Sequence, residues 1–211
     1  MTLRLLVVRH AQTDGNAEGR SQGRRDVPLN DYGRRQAAAV GERLGTRRVV
    51  AVYASPLSRS LATAEAIAAP HGLAVQVDDR LAELDHGILD GMTSEEMRRD
   101  YADVLARWRD EDPTDLVMPG GESMRDAQGR MAAAIDEIMA RWTEGDVVVV
   151  THNLAARAFL CLAMGIPMAA FHHFRMDLAA YSEVERLDDG GWLVIRLNDQ
   201  CHVAELVSGG L

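Results

Sequence analysis

Hydrophobic and polar positions along this chain alternate between two rhythms. Leu3 to Val8 and Val147 to Val150 are nearly continuous apolar runs, the pattern of central strands covered on both faces. Val49 to Tyr53 and Leu73 to Val77 are shorter strand candidates. Between them the spacing becomes helical: Ala37, Val40 and Leu44 share one face after Gly33, and Met124, Met131, Ile135, Ile138 and Trp142 mark another helix. Ser55-Pro56 reads as an N-cap followed by proline at the first helical position, opening a helix through about Ala68. Thr93 with Glu96 forms a capping box, and Met97, Tyr101, Val104 and Trp108 continue that helix on one face. Asp188-Asp189-Gly190-Gly191 separates Tyr181–Glu185 from Trp192–Leu197 and predicts an antiparallel hairpin at a sheet edge.

Strands that alternate with helices predict a three-layer α/β/α sandwich with a mostly parallel central sheet and that hairpin at its edge. The segment from about 84 to 122 breaks the alternation and predicts a small helical cap over the strand ends. With 211 residues, 47% of them hydrophobic, the chain reads as one domain spanning 1–211.

Composition narrows the partners. A net charge of -9 without a basic run argues against nucleic acid, and no stretch approaches the length of a membrane span. The chain begins directly with a strand, so the expectation is a cytoplasmic protein, with a homodimer admitted. Cys161 and Cys201 lack metal-ligand spacing and read as small unpaired thiols. The methionine stripe reads as core packing.

A charged pair, Arg9-His10, closes the first apolar run, where packing gives it no role. In open α/β sheets, ligands bind at the carboxyl ends of the strands. Arg59 in the helix after Ser55-Pro56, Glu83 beyond the Asp78–Leu81 turn, and His152 after four valines would reach the same edge if the strands are parallel. Neither histidine has a second metal ligand at helical or short-loop spacing, so no metal is expected. Two arginines, together with the helix N-terminus beyond His152, can neutralise a phosphomonoester dianion. A neutral imidazole can attack phosphorus, and a carboxyl group can protonate the leaving oxygen and later activate water. His71, His86, His172, His173 and His202 read as surface or internally satisfied histidines, with His86 and His172 the two that a pocket mouth would take.

Arg9-His10-Ala11-Gln12-Thr13-Asp14-Gly15-Asn16, followed by Gln22-Gly23 and Asp26-Val27-Pro28-Leu29-Asn30, resembles the opening motif of the histidine phosphatase superfamily, also called phosphoglycerate mutase-like. Ser55 to Ala64 resembles its second motif, Glu83 to Gly91 its acid-bearing segment, Gly120-Gly121-Glu122-Ser123 a later motif, and Thr151-His152 its second histidine. The resemblance implies that His10 is the phosphorylated nucleophile and Glu83 the proton donor. It also implies that Arg9, Asn16, Arg59 and His152 bind the phosphate, that Gln22 and Gly23 lie near the substrate, and that no cofactor is required.

Three departures from the family pattern stand out: Ala11 and Asn153 where glycine is usual, and Leu89-Asp90 where Trp-Glu is common. Ala11 is tolerable if its backbone keeps a negative φ, and Asn153 favours Glu83 as the acid. Three activities are open at this level. The first is a phosphomonoesterase acting on a small phosphorylated metabolite. The second is a cofactor-dependent phosphoglycerate mutase, disfavoured by the short segment between Glu83 and Gly120. The third is a non-catalytic phospholigand-binding module, disfavoured because binding alone needs neither nucleophile nor acid. Met92, Trp108, Met118 and Phe171 suit either an apolar pocket or the core.

Overall fold

The computed structural model describes residues 2–208; the two ends of the expected 1–211 domain, Met1 and residues 209–211, lie outside the described residues. In chain order the elements are β1 (Leu3–Arg9), α1 (Asp14–Ala17), α2 (Asp31–Gly45), β2 (Val49–Ala54), α3 (Ser58–Ala68), β3 (Val75–Val77), α4 (Ser94–Asp100), α5 (Ala102–Asp110), α6 (Met124–Met139), β4 (Gly145–Thr151), α7 (Asn153–Met164), β5 (Tyr181–Arg186), β6 (Trp192–Asp199) and α8 (Cys201–Ser208). The sheet order is β3-β2-β4-β1-β5-β6. The first four strands are mutually parallel, and β5 runs antiparallel to both β1 and β6. This is the expected α/β/α sandwich with its edge hairpin.

Strand geometry explains why the central runs are continuously apolar. Side chains alternate faces, so Leu5, Val7, Val147 and Val149 join one core layer with residues of α6 and α7. Leu6, Val8, Val148 and Val150 join the opposite layer with residues of α2 and α3. β4 is buried along its entire length. The parallel register that pairs Val8 with Val150 and Arg9 with Thr151 brings both strand ends to one edge, and β2 ends beside them, pairing Ala54 with Val150.

Four local expectations need correction. The β3 strand begins at Val75, because Gly72, at φ 65, is still turning the chain out of the preceding helix and Leu73 bonds back to the Ala68 carbonyl. The helix marked by Met124 ends at Met139, and Trp142 follows it as a packing residue against the core. Ser55 does not cap α3: the helix starts at Ser58 with Leu57 at the cap position. The Asp26 carboxylate, from a distant loop, accepts from the Ser58 N–H and hydroxyl instead.

Finally, the single helix expected over Met97–Trp108 is two helices, broken at Tyr101, whose backbone (φ -137°, ψ 39°) is not helical. Met97, Val104 and Trp108 keep helical spacing across the break, so periodicity cannot register it. The cap segment is tied to the domain by backbone bonds from Gly91 to Ser21 and from Ser21 to Met92. The Asp90 carboxylate reinforces it by accepting from the Gly23 and Arg25 amides. No described helix is long and apolar enough to cross a membrane.

Candidate active site

The carboxyl end of β1 and the start of α7 after β4 border a cavity of about 380 Å³ whose lining includes Arg9, His10, Asn16, Gln22, Glu83, Asn153 and Arg157, while Arg59 and His152 are buried outside that lining. His10 is 3% exposed, and its backbone is held from both sides: its N–H donates to the Thr151 carbonyl and its carbonyl accepts from Ala179. Ala179 holds a left-handed φ of 58°, a cost that the surrounding bonds sustain beside the site. The His10 Nδ1 lies 2.7 Å from the Ala11 carbonyl oxygen, which can only accept. Nδ1 therefore carries the proton, and Nε2 keeps its lone pair. Ala11 does not adopt a positive φ. Its N–H donates to Thr63 Oγ1 and its methyl is buried in the α2–α3 core layer, so the methyl group is accommodated.

His152 lies across from His10, with ring centroids 5.0 Å apart. Its Nε2 is 2.8 Å from the Ser55 hydroxyl. That hydroxyl oxygen also accepts from the Leu57 amide, and among the described residues its own proton has no acceptor other than Nε2, to which it therefore donates. The Nδ1 of His152 is then the protonated nitrogen, buried and without a partner among the described residues. The residue expected to cap α3 thus sets the tautomer of a site histidine.

Arg59 is wholly buried; its two terminal nitrogens donate to the Arg25 and Gly23 carbonyls. Arg9 donates to the Met176 carbonyl. In both arginines Nε is buried without a partner. Together with His152 Nδ1 these make three buried donors without a protein partner among the described residues.

Charge and burial act together on the two imidazoles. Burial, then the nearby Arg59 and Arg9 charges, hold His10 well below its ordinary value of 6.5. Burial, then His10 and the same arginines, do the same to His152. Burial also lowers Arg9 to about 10, which leaves it charged at neutral pH. At that pH the site is therefore two neutral imidazoles between two cations.

Glu83 sits at the N-terminus of α7. Its Oε1 accepts from the Leu84, Leu154 and Ala155 amides, while Oε2 accepts only from Leu154. The Leu154 and Ala155 amides of this helix end orient the carboxylate. Arg130 fixes the loop that carries Glu83, donating to the Arg80, Ala82 and Glu83 carbonyls while paired with Glu122.

The remaining expected residues divide. The Asn16 carbonyl oxygen is held by Thr13 in a capping box at α1, and the residue lines the cavity. Gln22 lines it too, bonded to the Thr13 hydroxyl. Gly23 does not face the cavity: its N–H is bonded to Asp90 and its carbonyl to Arg59. It is glycine because a Cβ would lie 2.8 Å from the His86 amide nitrogen. His86 and His172 both line the cavity, as do Trp108, Met118 and Phe171. Sequence reasoning missed Ser55 in its role at His152, Thr63 behind Ala11, and Arg157, which donates to the Phe171 carbonyl and packs its guanidinium 4.6 Å from the Phe171 ring centre. Nothing in the local sequence marks Arg157 as other than a helix residue.

The family model for the histidine phosphatase superfamily (branch 1) matches residues 5–200. The chain belongs to the histidine phosphatase superfamily. With phosphatases among its relatives, it is a phosphoric monoester hydrolase. Phosphoserine phosphatase 1 of Hydrogenobacter thermophilus is 34% identical over 203 residues, covering 96% of this chain and 95% of that protein. A probable phosphoglycerate mutase of Klebsiella pneumoniae is 33% identical over 208 residues, with 95% of each chain covered. Among solved structures, a mycobacterial glucosyl-3-phosphoglycerate phosphatase in complex with VO3 superposes with a TM-score of 0.86 at 30% identity, covering 92% of this histidine phosphatase and 98% of that chain.

Proposed function

We propose that this chain, acting as a single domain, hydrolyses a small phosphorylated metabolite in two in-line steps through a phosphohistidine at His10. The observation that carries this reading is the bond from His10 Nδ1 to its neighbouring carbonyl, which leaves Nε2 as a neutral nucleophile inside a cationic pocket. In the first step Nε2 attacks phosphorus, the ester P–O bond breaks, and Glu83 gives its proton to the departing oxygen. In the second step Glu83 takes a proton from water, the water oxygen bonds to phosphorus, and the P–N bond breaks to release phosphate.

In this reading Arg9, Arg59 and His152 hold the phosphoryl oxygens, with charge-assisted bonds that strengthen as charge develops. Asn16 adds a donor and Gln22 borders the substrate. Gly23 acts indirectly, by holding Arg59. A cytoplasmic setting belongs to the same reading, supported by the unpaired Cys161 and Cys201. So does a homodimer, supported by Leu193, Ile195 and Leu197 exposed on the edge strand β6; a monomer mass in sedimentation removes that part.

The test is acid-quenched phosphoenzyme after mixing with radiolabelled p-nitrophenyl phosphate. Label is expected in the wild type and absent in His10→Ala; no label in the former, or equal label in both, overturns the reading and favours a binding module. The mutase alternative draws on the Klebsiella relative. Isomerisation of 3-phosphoglycerate in the presence of catalytic bisphosphoglycerate, without free phosphate, would establish it instead.

A further inference from the structure

The cavity has two unlike halves. Its floor carries Arg9, His10 and Glu83, with Arg59 and His152 buried outside the lining, and its far wall is built by the cap. Helices α4 and α5 contain no fully buried residue, and α5 is amphipathic in pattern: Met97, Val104 and Trp108 are partly buried against the cluster that holds Leu89, Met118 and Phe171. Part of that stripe faces the cavity: Val104, Leu105 and Trp108 line it together with Met97, Leu89 and Phe171. Trp108 meets Phe171 edge-on, with ring centroids 5.4 Å apart. Arg157, one cation of the lining, donates to the Phe171 carbonyl and packs against the Phe171 ring.

We infer that the leaving group is an aromatic or extended apolar alcohol, and that the α4–α5 wall centred on Trp108 selects it. The inference rests on the phosphatase reading above and deepens it. An alcohol bearing both an ammonium and a carboxylate, as in phosphoserine, would set charges against the apolar side chains of that wall, which costs more than apolar contact returns. A hydrocarbon leaving group covers the same surface at a gain for each methylene buried.

A series of ethyl, butyl and hexyl phosphates tests this, compared with phosphoserine and 3-phosphoglycerate by kcat/KM on the intact chain. The alkyl alcohols have nearly equal acidity, so chain length reports burial and leaves the chemistry constant. We expect kcat/KM to rise about fourfold per methylene and hexyl phosphate to exceed phosphoserine by about tenfold or more. In Trp108→Ala the hexyl-to-ethyl ratio should fall by about tenfold, with circular dichroism reporting that the variant is folded. Leu105→Asn, on the same wall, should lower that ratio in the same direction.

A flat alkyl series, or phosphoserine or 3-phosphoglycerate as the best substrate, overturns the inference while leaving phospho-His10 chemistry standing. An unchanged ratio in both folded variants removes the α4–α5 wall as the selector. Absence of phosphoenzyme with every ester overturns the phosphatase reading, and this inference with it.

Discussion

The floor and the cap wall of one cavity are built on opposite plans. At the floor, His10, Arg59, Glu83 and His152 are each at most 3% exposed, and their hydrogen bonds reach across the sheet. The cap presents two short helices with no buried residue, edged by exposed ion pairs between near neighbours, such as Arg99–Asp100, Arg107–Glu111 and Arg109–Asp110. Buried polar groups are costly unless satisfied, so every floor residue is constrained by partners. Exposed pairs are screened and contribute little. The difference teaches that one chemistry can be held rigid while the surface that meets the leaving group is free to vary.

The contrast is broken most severely at the nucleophile. His10→Ala should lower turnover by about 10⁴-fold or more and abolish phosphoenzyme, as measured by steady-state rates and acid quench. Glu83→Gln should cost about 10²–10⁴-fold in kcat, with a larger loss for alkyl phosphates than for p-nitrophenyl phosphate, whose leaving group needs little protonation. Equal losses on both would remove Glu83 as the acid. Ser55→Ala, which frees His152 Nε2, should reduce kcat/KM by roughly tenfold; restoration by Ser55→Thr would point to the hydroxyl.

Titration sharpens the same contrast. Unfolded, His10 and His152 would titrate near 6.5, whereas folded they lie well below it. Between those values the unfolded chain binds more protons, so stability is fully present above 6.5 and declines as pH falls through that window. Urea melts between neutral and mildly acidic pH should show that decline, and the acid limb of kcat/KM should lie below 6.5. The smallest effect belongs to the cap surface: Arg107→Ala should move Tm by less than about 2 °C.

Much of the floor was legible before the fold. Arg9-His10, Arg59 and His152 are charged or titratable residues beside strongly patterned strands and helices, where an apolar or cap residue would be the ordinary choice. Glu83, in an acid-rich stretch, needed the ordered motif set to single it out. The cap was legible only as an interruption: periodicity continues through Tyr101 although the helix does not, and Asp90 gives no local sign that it holds the Gly23 and Arg25 amides. Arg157 looks like any other helix arginine until Phe171 is seen beside it.

The amino-acid sequence by itself determined the alternating strands and helices, the edge hairpin, the family, and the order of the reactive residues along the chain. These depend on hydrophobic period and on motifs carried by neighbours in the chain. Tertiary structure alone decided the proton position on His152, which depends on Ser55, 97 residues away. It also decided that the α7 amides serve Glu83, 72 residues before Ala155, and that the stripe of α5 lines a cavity. A hydrogen bond between residues so far apart leaves no period in the sequence, because its geometry exists only once the sheet has brought its strand ends together.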